Sequence, residues 1–194
     1  LLTRRAIVAA TAGLAAGLGR SNAARAQSEE DLPDAAAVLN KMAPVAAPGV
    51  AFTDAAGRPL TLDNYAGHGL VVNLWATWCG PCVAELPSFA ALAPILAPSG
   101  ILILPISIDM SGLKAVRPFY TTHRIRSLPI LLDPDGNAMD TLNADGIPVT
   151  IVINAAGQMV ARFDGAANWN TPASIRALRD LTRIPTPRTD VQPV

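Results

Sequence analysis

The chain contains two cysteines and no others. They stand three residues apart in Trp78-Cys79-Gly80-Pro81-Cys82, and the chemistry that this spacing supports is thiol-disulfide exchange. The apolar run Leu70 to Ala76 before them reads as a buried strand by its branched and aromatic content, and Pro87 and Pro94 punctuate the helical segment that follows. Cys79 is therefore expected at a helix N-terminus, where unpaired backbone N–H groups and the positive end of the dipole favour the nucleophilic thiolate. Cys82 falls on the same helical face. That spacing can meet the Cα separation of roughly 4.4 to 6.8 Å that a disulfide needs, and Pro81 fits the first turn, where its missing donor costs nothing. Two other uses compete. A structural bridge is the common fate of a cysteine pair outside the cytosol, but one that closes so short a loop removes little unfolded-state entropy. A zinc site needs four ligands, and only His68 and His123 are available to join the pair, neither at a finger spacing. No metal and no cofactor beyond a redox-active disulfide between Cys79 and Cys82 is expected.

The elements that must position the pair follow from the pattern. Val50 to Thr53 and Pro59 to Leu62 read as a hairpin, Leu70 to Ala76 as the central strand, Cys79 to Leu96 as the active-site helix and Ile101 to Ile108 as the next strand. Pro105 inside that strand predicts a bulge or a position whose missing N–H faces outward. Leu113 to His123 then reads as a helix, Ile130 to Leu132 as a short strand and Asn137 to Leu142 as a short helix. Val149 to Asn154 and Gln158 to Asp164 form a second hairpin, and Pro172 to Leu181 a closing helix with Thr171 as its N-cap. Gln27 to Pro48 reads as a linker with a short helical candidate from Asp34 to Met42, and the residues from Thr182 to Val194, with three prolines, as a trailing tail.

The phrase Val72-Asn73-Leu74-Trp75-Ala76-Thr77-Trp78-Cys79-Gly80-Pro81-Cys82 resembles the TlpA-like branch of the thioredoxin superfamily of thiol-disulfide oxidoreductases. Glu85-Leu86-Pro87, Gly146-Ile147-Pro148-Val149-Thr150 and Gly165-Ala166-Ala167-Asn168-Trp169 continue the likeness, which covers residues 49–181. It implies an α/β fold, a thioredoxin-like three-layer α/β/α sandwich with a mixed central sheet, an N-terminal hairpin extension and a strand-helix insertion. It also implies that Pro148 is a cis-proline facing the cysteines, with Ile147 offering its backbone to an extended substrate in the manner of strand addition; an ordinary turn proline before a strand is the alternative. Glu85 is implied to lie near the active site and to tune or relay protons to Cys82, although an acid in the first helical turn also suits the dipole without any such role. Asn73 departs from thioredoxin, which has a buried aspartate at this place, so that carboxylate's role does not transfer. Trp78, Gly80 and Pro81 are expected to meet the substrate, and Trp75 and Trp169 to pack in the core or at an edge.

Fifteen basic and fifteen acidic side chains cancel with no long run of either sign, which excludes the electrostatic footprint of a nucleic-acid binder. The first 26 residues read as an export signal. Arg4-Arg5 supplies the basic start, Ala6 to Gly19 an uncharged stretch shorter than the roughly 20 residues that span a bilayer, and Ala24-Arg25-Ala26 a small-residue cleavage pattern. Adjacent arginines fit a twin-arginine route and an ordinary one alike. The expectation is a periplasmic protein starting at Gln27; the resemblance keeps an uncleaved membrane tether open.

The expected activity is reduction of disulfides in periplasmic proteins, with Cys79 attacking and Cys82 resolving. Gly80-Pro81 is the dipeptide of thioredoxin, near −270 mV against about −120 mV for DsbA, a strong oxidant. By resemblance the electron donor is a membrane protein of the DsbD or CcdA kind, and the targets serve cytochrome c or cytochrome oxidase copper-site maturation. The alternatives are a copper-binding thioredoxin-like chaperone and a non-catalytic module closed by a structural disulfide.

Overall fold

The computed structural model describes residues 32–183. The expected export signal, the cleavage point at Gln27 and most of the C-terminal tail lie outside the described residues. Eight strands form one mixed sheet in the order β1-β8-β7-β4-β5-β6-β2-β3. In chain order the strands are β1 (Asn40–Ala46), β2 (Ala51–Asp54), β3 (Pro59–Thr61), β4 (Gly69–Trp75), β5 (Ile101–Ser107), β6 (Leu131–Leu132), β7 (Val149–Ile153) and β8 (Gln158–Asp164). The helices are α1 (Ala35–Val38), α2 (Gly80–Leu96), α3 (Leu113–Thr122), α4 (Asn137–Thr141) and α5 (Pro172–Thr182).

Strand β4 is central because every one of its seven residues is buried. A strand covered on both faces needs apolar side chains in both directions, which its Leu-Val-Val-Asn-Leu-Trp run supplies. It pairs in parallel with β5 and antiparallel with β7. Alternation along β4 then divides the core. Val71 and Trp75 join Leu86, Phe89, Leu92 and Leu96 of α2, Val116 and Tyr120 of α3 and Leu178 of α5. Leu70, Val72 and Leu74 join Val50, Phe52, Leu62 and Ala138 on the other face. The three longer helices thus share one face, and the β2–β3 hairpin with α4 covers the other. This is the expected α/β arrangement with hairpin extension and strand-helix insertion, its second helical layer thin.

Two expectations need correction and one resolves between its alternatives. The stretch read as a linker holds α1 and then β1, which pairs antiparallel with β8 from Asn40↔Arg162 to Ala46↔Gln158, so the folded unit begins well before residue 49. All seven residues of β1 are exposed, and an edge strand open on both faces carries no alternating apolar signal to read. Its Pro44 sits where the register shifts between Lys41 and Val45, which is where an edge strand tolerates a missing donor. Second, of the two outcomes expected at Pro105, a bulge and a position whose missing N–H faces outward, no bulge toward β4 forms and the second fits. The β4–β5 ladder runs through Asn73↔Pro105 without a shift, and pairing to β6 starts one residue later at Ile106↔Leu131, leaving the proline with a neighbour on one side only. Third, the closing helix runs on through Thr182, whose carbonyl accepts from the Ala155 N–H at 3.0 Å, so the tail begins later than expected.

Candidate active site

The redox pair sits where β4 ends and α2 begins. Cys79 is the N-cap of α2, in extended conformation, and its sulfur accepts from the Cys82 N–H at 3.2 Å. The two cysteines are joined as a disulfide with a Cα–Cα separation of 5.3 Å. An N-cap sulfur held by a helix N–H is one whose thiolate the helix stabilises. Cys79 retains a sliver of exposure and Cys82 has none, an asymmetry that leaves one sulfur reachable and the other behind it. Around them Gly80 and Pro81 are exposed, and Trp78 is 69% exposed, a large apolar side chain offered to solvent beside the reactive bond. A Cβ at Gly80 would meet nothing within 4 Å, so packing places no demand on that position.

The loop that enters this corner is fixed from the side. Buried Asp109, just past β5, accepts from the Thr77 N–H at 2.9 Å and the Thr77 hydroxyl at 2.7 Å, and from the Ser107 hydroxyl at 2.8 Å. Nothing in the sequence singled out Asp109. An aspartate after a strand is ordinary, and only the fold brings it to Thr77, two residues before the first cysteine.

Opposite the disulfide lies the start of β7. The Ile147–Pro148 peptide bond is cis, as the resemblance implied, and the Ile147 carbonyl oxygen is 3.7 Å from Cys79 Sγ. Pro148 is buried and Ile147 half-buried. The Pro148 carbonyl accepts from the Gly165 N–H at 2.9 Å. Gly165 has φ of 138°, and a Cβ there would come within 3.1 Å of the Phe163 ring, so this tie between the two loops calls for glycine. A cavity of about 470 Å³ opens beside Ile147 and Pro148. Arg162 on its wall is engaged by Asp164 at 2.7 Å and donates to the Leu142 carbonyl.

Glu85 lies one turn beyond Cys82 on α2 and is fully buried. It does not reach solvent as a first-turn surface acid would. Its Oε1 accepts from the Asn73 side-chain amide at 2.9 Å, and its Oε2 from the Trp169 indole N–H at 3.0 Å and the Ala167 N–H at 3.2 Å. Burial pushes the carboxyl up to about 7, against the pull of the Trp169, Ala167 and Asn73 hydrogen bonds. The group is thus poised to take or give a proton near neutral pH. Asn73 gives its second amide proton to Thr150 Oγ1 at 3.0 Å, while its own Oδ1 is buried without a partner.

Two expectations sharpen here. Trp169, read as packing, does pack, its ring stacked on Phe89 at 5.1 Å, but its indole N–H also holds Glu85. Asn73 stands in the place of a carboxylate and serves as a donor to one. The Gly165–Trp169 segment was legible as a motif, yet its aim at Glu85 was not, because the contact spans more than eighty residues of sequence. Trp75 packs as expected, stacked against Tyr120 at 5.9 Å.

Comparison with known proteins agrees with this geometry. The AhpC/TSA family matches residues 44–162. Thiol-disulfide oxidoreductase ResA of Bacillus subtilis strain 168 is 30% identical over 119 residues, which cover 61% of this chain and 65% of that protein. The ResA protein of Bacillus thuringiensis subsp. konkukian is 28% identical over 119 residues, 61% of this chain and 68% of its own. Among solved structures, the thiol:disulfide interchange protein of the thioredoxin family from Chlorobium tepidum superposes with a TM-score of 0.58 at 24% identity, over 71% of this chain and 98% of that one; at that identity the likeness speaks for the fold.

Proposed function

The chain belongs to the AhpC/TSA family and is a thiol-disulfide oxidoreductase of the thioredoxin superfamily, and we propose that it works as an exported reductase of protein disulfides. The observation that carries this reading is the arrangement of one helix. Its N-cap sulfur accepts a helix N–H, its second sulfur is buried three residues on, and a carboxyl that burial pushes up to about 7 lies one turn further.

In the reduced protein the Cys79 thiolate attacks one sulfur of a target disulfide. An S–S bond forms between Cys79 and the target, and the target's other sulfur leaves as a thiolate that takes up a proton. Cys82 then loses its proton, with Glu85 or water as acceptor, and attacks Cys79 Sγ. That step closes the Cys79–Cys82 disulfide and releases the target's second thiol, so two electrons pass from the protein to the target. The Ile147 backbone, set against Cys79, is available to pair with the extended segment that carries the target disulfide. Trp78, Gly80 and Pro81 form the exposed rim on which that segment rests.

Disulfides persist in extracytoplasmic compartments, and a reductant working there must be recharged. We assign that role to a membrane thiol donor of the DsbD or CcdA kind, and we assign the targets to cytochrome c or cytochrome oxidase copper-site maturation. The basic, apolar and small-residue order of the first 26 residues supports a periplasmic address, with the N-terminal segment either removed or kept as a tether. Expressing the full chain with Cys82→Ala in a bacterial periplasm tests the reading, because a resolving-cysteine variant accumulates its mixed disulfides. The expected result is dithiothreitol-sensitive adducts through Cys79 to proteins of those maturation systems. Absence of adducts, while the wild-type protein reduces insulin in vitro, would refute the assigned targets.

A further inference from the structure

We propose that Asp34, in the N-terminal arm before β1, is a positioning residue for the Glu85 carboxyl, acting through the loop between β8 and α5. The inference rests on the proton-handling reading of Glu85 given above and names a new part of that machinery. Asp34 lies in a segment whose sequence carries no chemistry, 51 positions from Glu85.

The connection is a short chain of hydrogen bonds. The Asp34 carboxylate accepts from the Ser174 hydroxyl at 2.7 Å, the Thr171 hydroxyl at 2.8 Å and the Ala36 N–H at 2.9 Å. Burial pushes this carboxyl up, but the Ser174, Thr171 and Ala36 hydrogen bonds, aided by the charge of Arg176, leave it below its ordinary value, so it is an anion at neutral pH. One carboxylate therefore caps α1 and grips the first turn of α5. The backbone on either side of it grips the loop. The Pro33 carbonyl accepts from the Asn168 N–H at 2.8 Å, and the Asn168 carbonyl accepts from the Ala35 N–H at 3.1 Å, an isolated parallel bridge between Asp34 and Asn168.

Asn168 stands between the two residues that hold Glu85. Ala167 before it and Trp169 after it both donate to Glu85 Oε2, whereas Asn168 itself bonds outward to the arm. The loop is thus held from both sides, and a shift of Asn168 carries both Glu85 donors with it. On the inner side it is also held by the Trp169 N–H to Ser88 Oγ bond at 3.2 Å and by the stacking on Phe89. Releasing the arm should therefore loosen the loop without freeing it. The groups that face Glu85 are the Asn73 amide from β4, the Ala167 N–H and the Trp169 indole from the loop and, on its own helix, Cys82, which titrates once reduced. Weaker donors to the carboxylate favour its neutral form.

The test follows the Glu85 carboxyl by 13C NMR and Cys82 by alkylation, both against pH, in the reduced full-length protein. Asp34→Ala should move the Glu85 midpoint upward by about half a pH unit to one unit. Asp34→Asn, which keeps an oxygen for Ser174 and Ala36, should stay near the wild-type value. If Asp34→Ala folds poorly, Ser174→Ala removes one of the clamp's donors and should shift the midpoint the same way by less. A Glu85 midpoint unchanged in the Ala variants would overturn the proposal. Glu85→Gln checks the premise separately, for a Cys82 profile indifferent to that change refutes proton handling by Glu85 and leaves the carboxyl midpoint to decide the clamp.

Discussion

Trp169 donates its indole N–H to Glu85 across 3.0 Å, from a loop more than eighty residues away in sequence, while its ring stacks on Phe89 of the helix that carries Glu85. One side chain thus docks the loop by its face and holds the carboxylate by its edge. Trp169→Phe keeps an aromatic face and removes the donor. A hydrogen bond to a charged group contributes about 1.5 to 3 kcal/mol, or roughly one to two pH units. The Glu85 midpoint is expected to rise from about 7 by that amount, and resolution of the mixed disulfide to need correspondingly higher pH. Carboxyl NMR titration measures the first effect, and stopped-flow pH profiles the second.

The same carboxyl makes stability depend on pH. Its folded value of about 7 lies above its ordinary 4.5, so between these the folded state binds the proton that the unfolded state has released. Stability is therefore fully present below about 4.5 and falls as pH rises through about 7, by on the order of 3 kcal/mol in all. Glu85→Gln removes the titration, and the unpartnered Asn73 Oδ1 is free to turn toward the new amide. Urea melts at pH 5 and pH 8 should show the wild type losing stability between the two, with the Gln variant nearly flat. A wild type as stable at pH 8 as at pH 5 contradicts the raised carboxyl.

The cysteines should differ sharply once reduced. Cys79 is the N-cap, accepts the Cys82 N–H and retains some exposure, whereas Cys82 is wholly buried. Cys79 is expected to alkylate much faster near neutral pH, because the helix N-terminus favours its thiolate and its sulfur is the reachable one. Cys79→Ser should abolish insulin reduction. Mass spectrometry after brief iodoacetamide treatment reads the difference, and preferential labelling of Cys82 would reverse the roles.

The parts of this molecule legible in the sequence are those with local or periodic causes. The central strand showed as a run of branched and aromatic residues, α2 by the signals at its start, and the β7–β8 hairpin by Ala155-Ala156-Gly157 between two apolar runs. Strand β1 was invisible because all its residues face solvent, so that only pairing with β8 defines it. At the site, Cys79 and Cys82 announce themselves by spacing, and Glu85, Ile147 and Pro148 by resemblance. Asp109, Asp34 and the second role of Trp169 have no such mark. Each acts on a residue distant in sequence, and only the folded sheet brings the partners together.

Asp109 tests how much the entry loop matters. Its carboxylate takes the Thr77 N–H, the Thr77 hydroxyl and the Ser107 hydroxyl, and Asp109→Ala would leave these buried or half-buried donors without an acceptor. The expected cost is about 2 to 4 kcal/mol of stability, together with slower Cys79 alkylation, because Thr77 leads directly into Trp78 and Cys79. Asp109→Asn, which keeps one oxygen, should recover much of both. Thermal melts and alkylation rates on the three proteins decide it, and an unchanged alkylation rate in the folded Ala variant would confine Asp109 to stability.

At the far end of the central strand, Gly69 begins β4 under the last turn of α5. A Cβ built there would overlap Thr182 Cβ and come within 3.0 Å of its hydroxyl oxygen, while that hydroxyl donates to the Leu178 carbonyl at 2.7 Å. The obstacle is the first carbon of the side chain, fixed to the helix backbone, so rotation of Thr182 offers no relief. Gly69→Ala is expected to cost about 1 to 3 kcal/mol by overpacking. Thr182→Ala should not rescue it, since alanine keeps the offending carbon, whereas Thr182→Gly should recover part of the loss after correction for its own effect on the helix end. A double-mutant cycle by urea denaturation gives the coupling. Equal behaviour of the two Thr182 variants would place the strain elsewhere than at this contact.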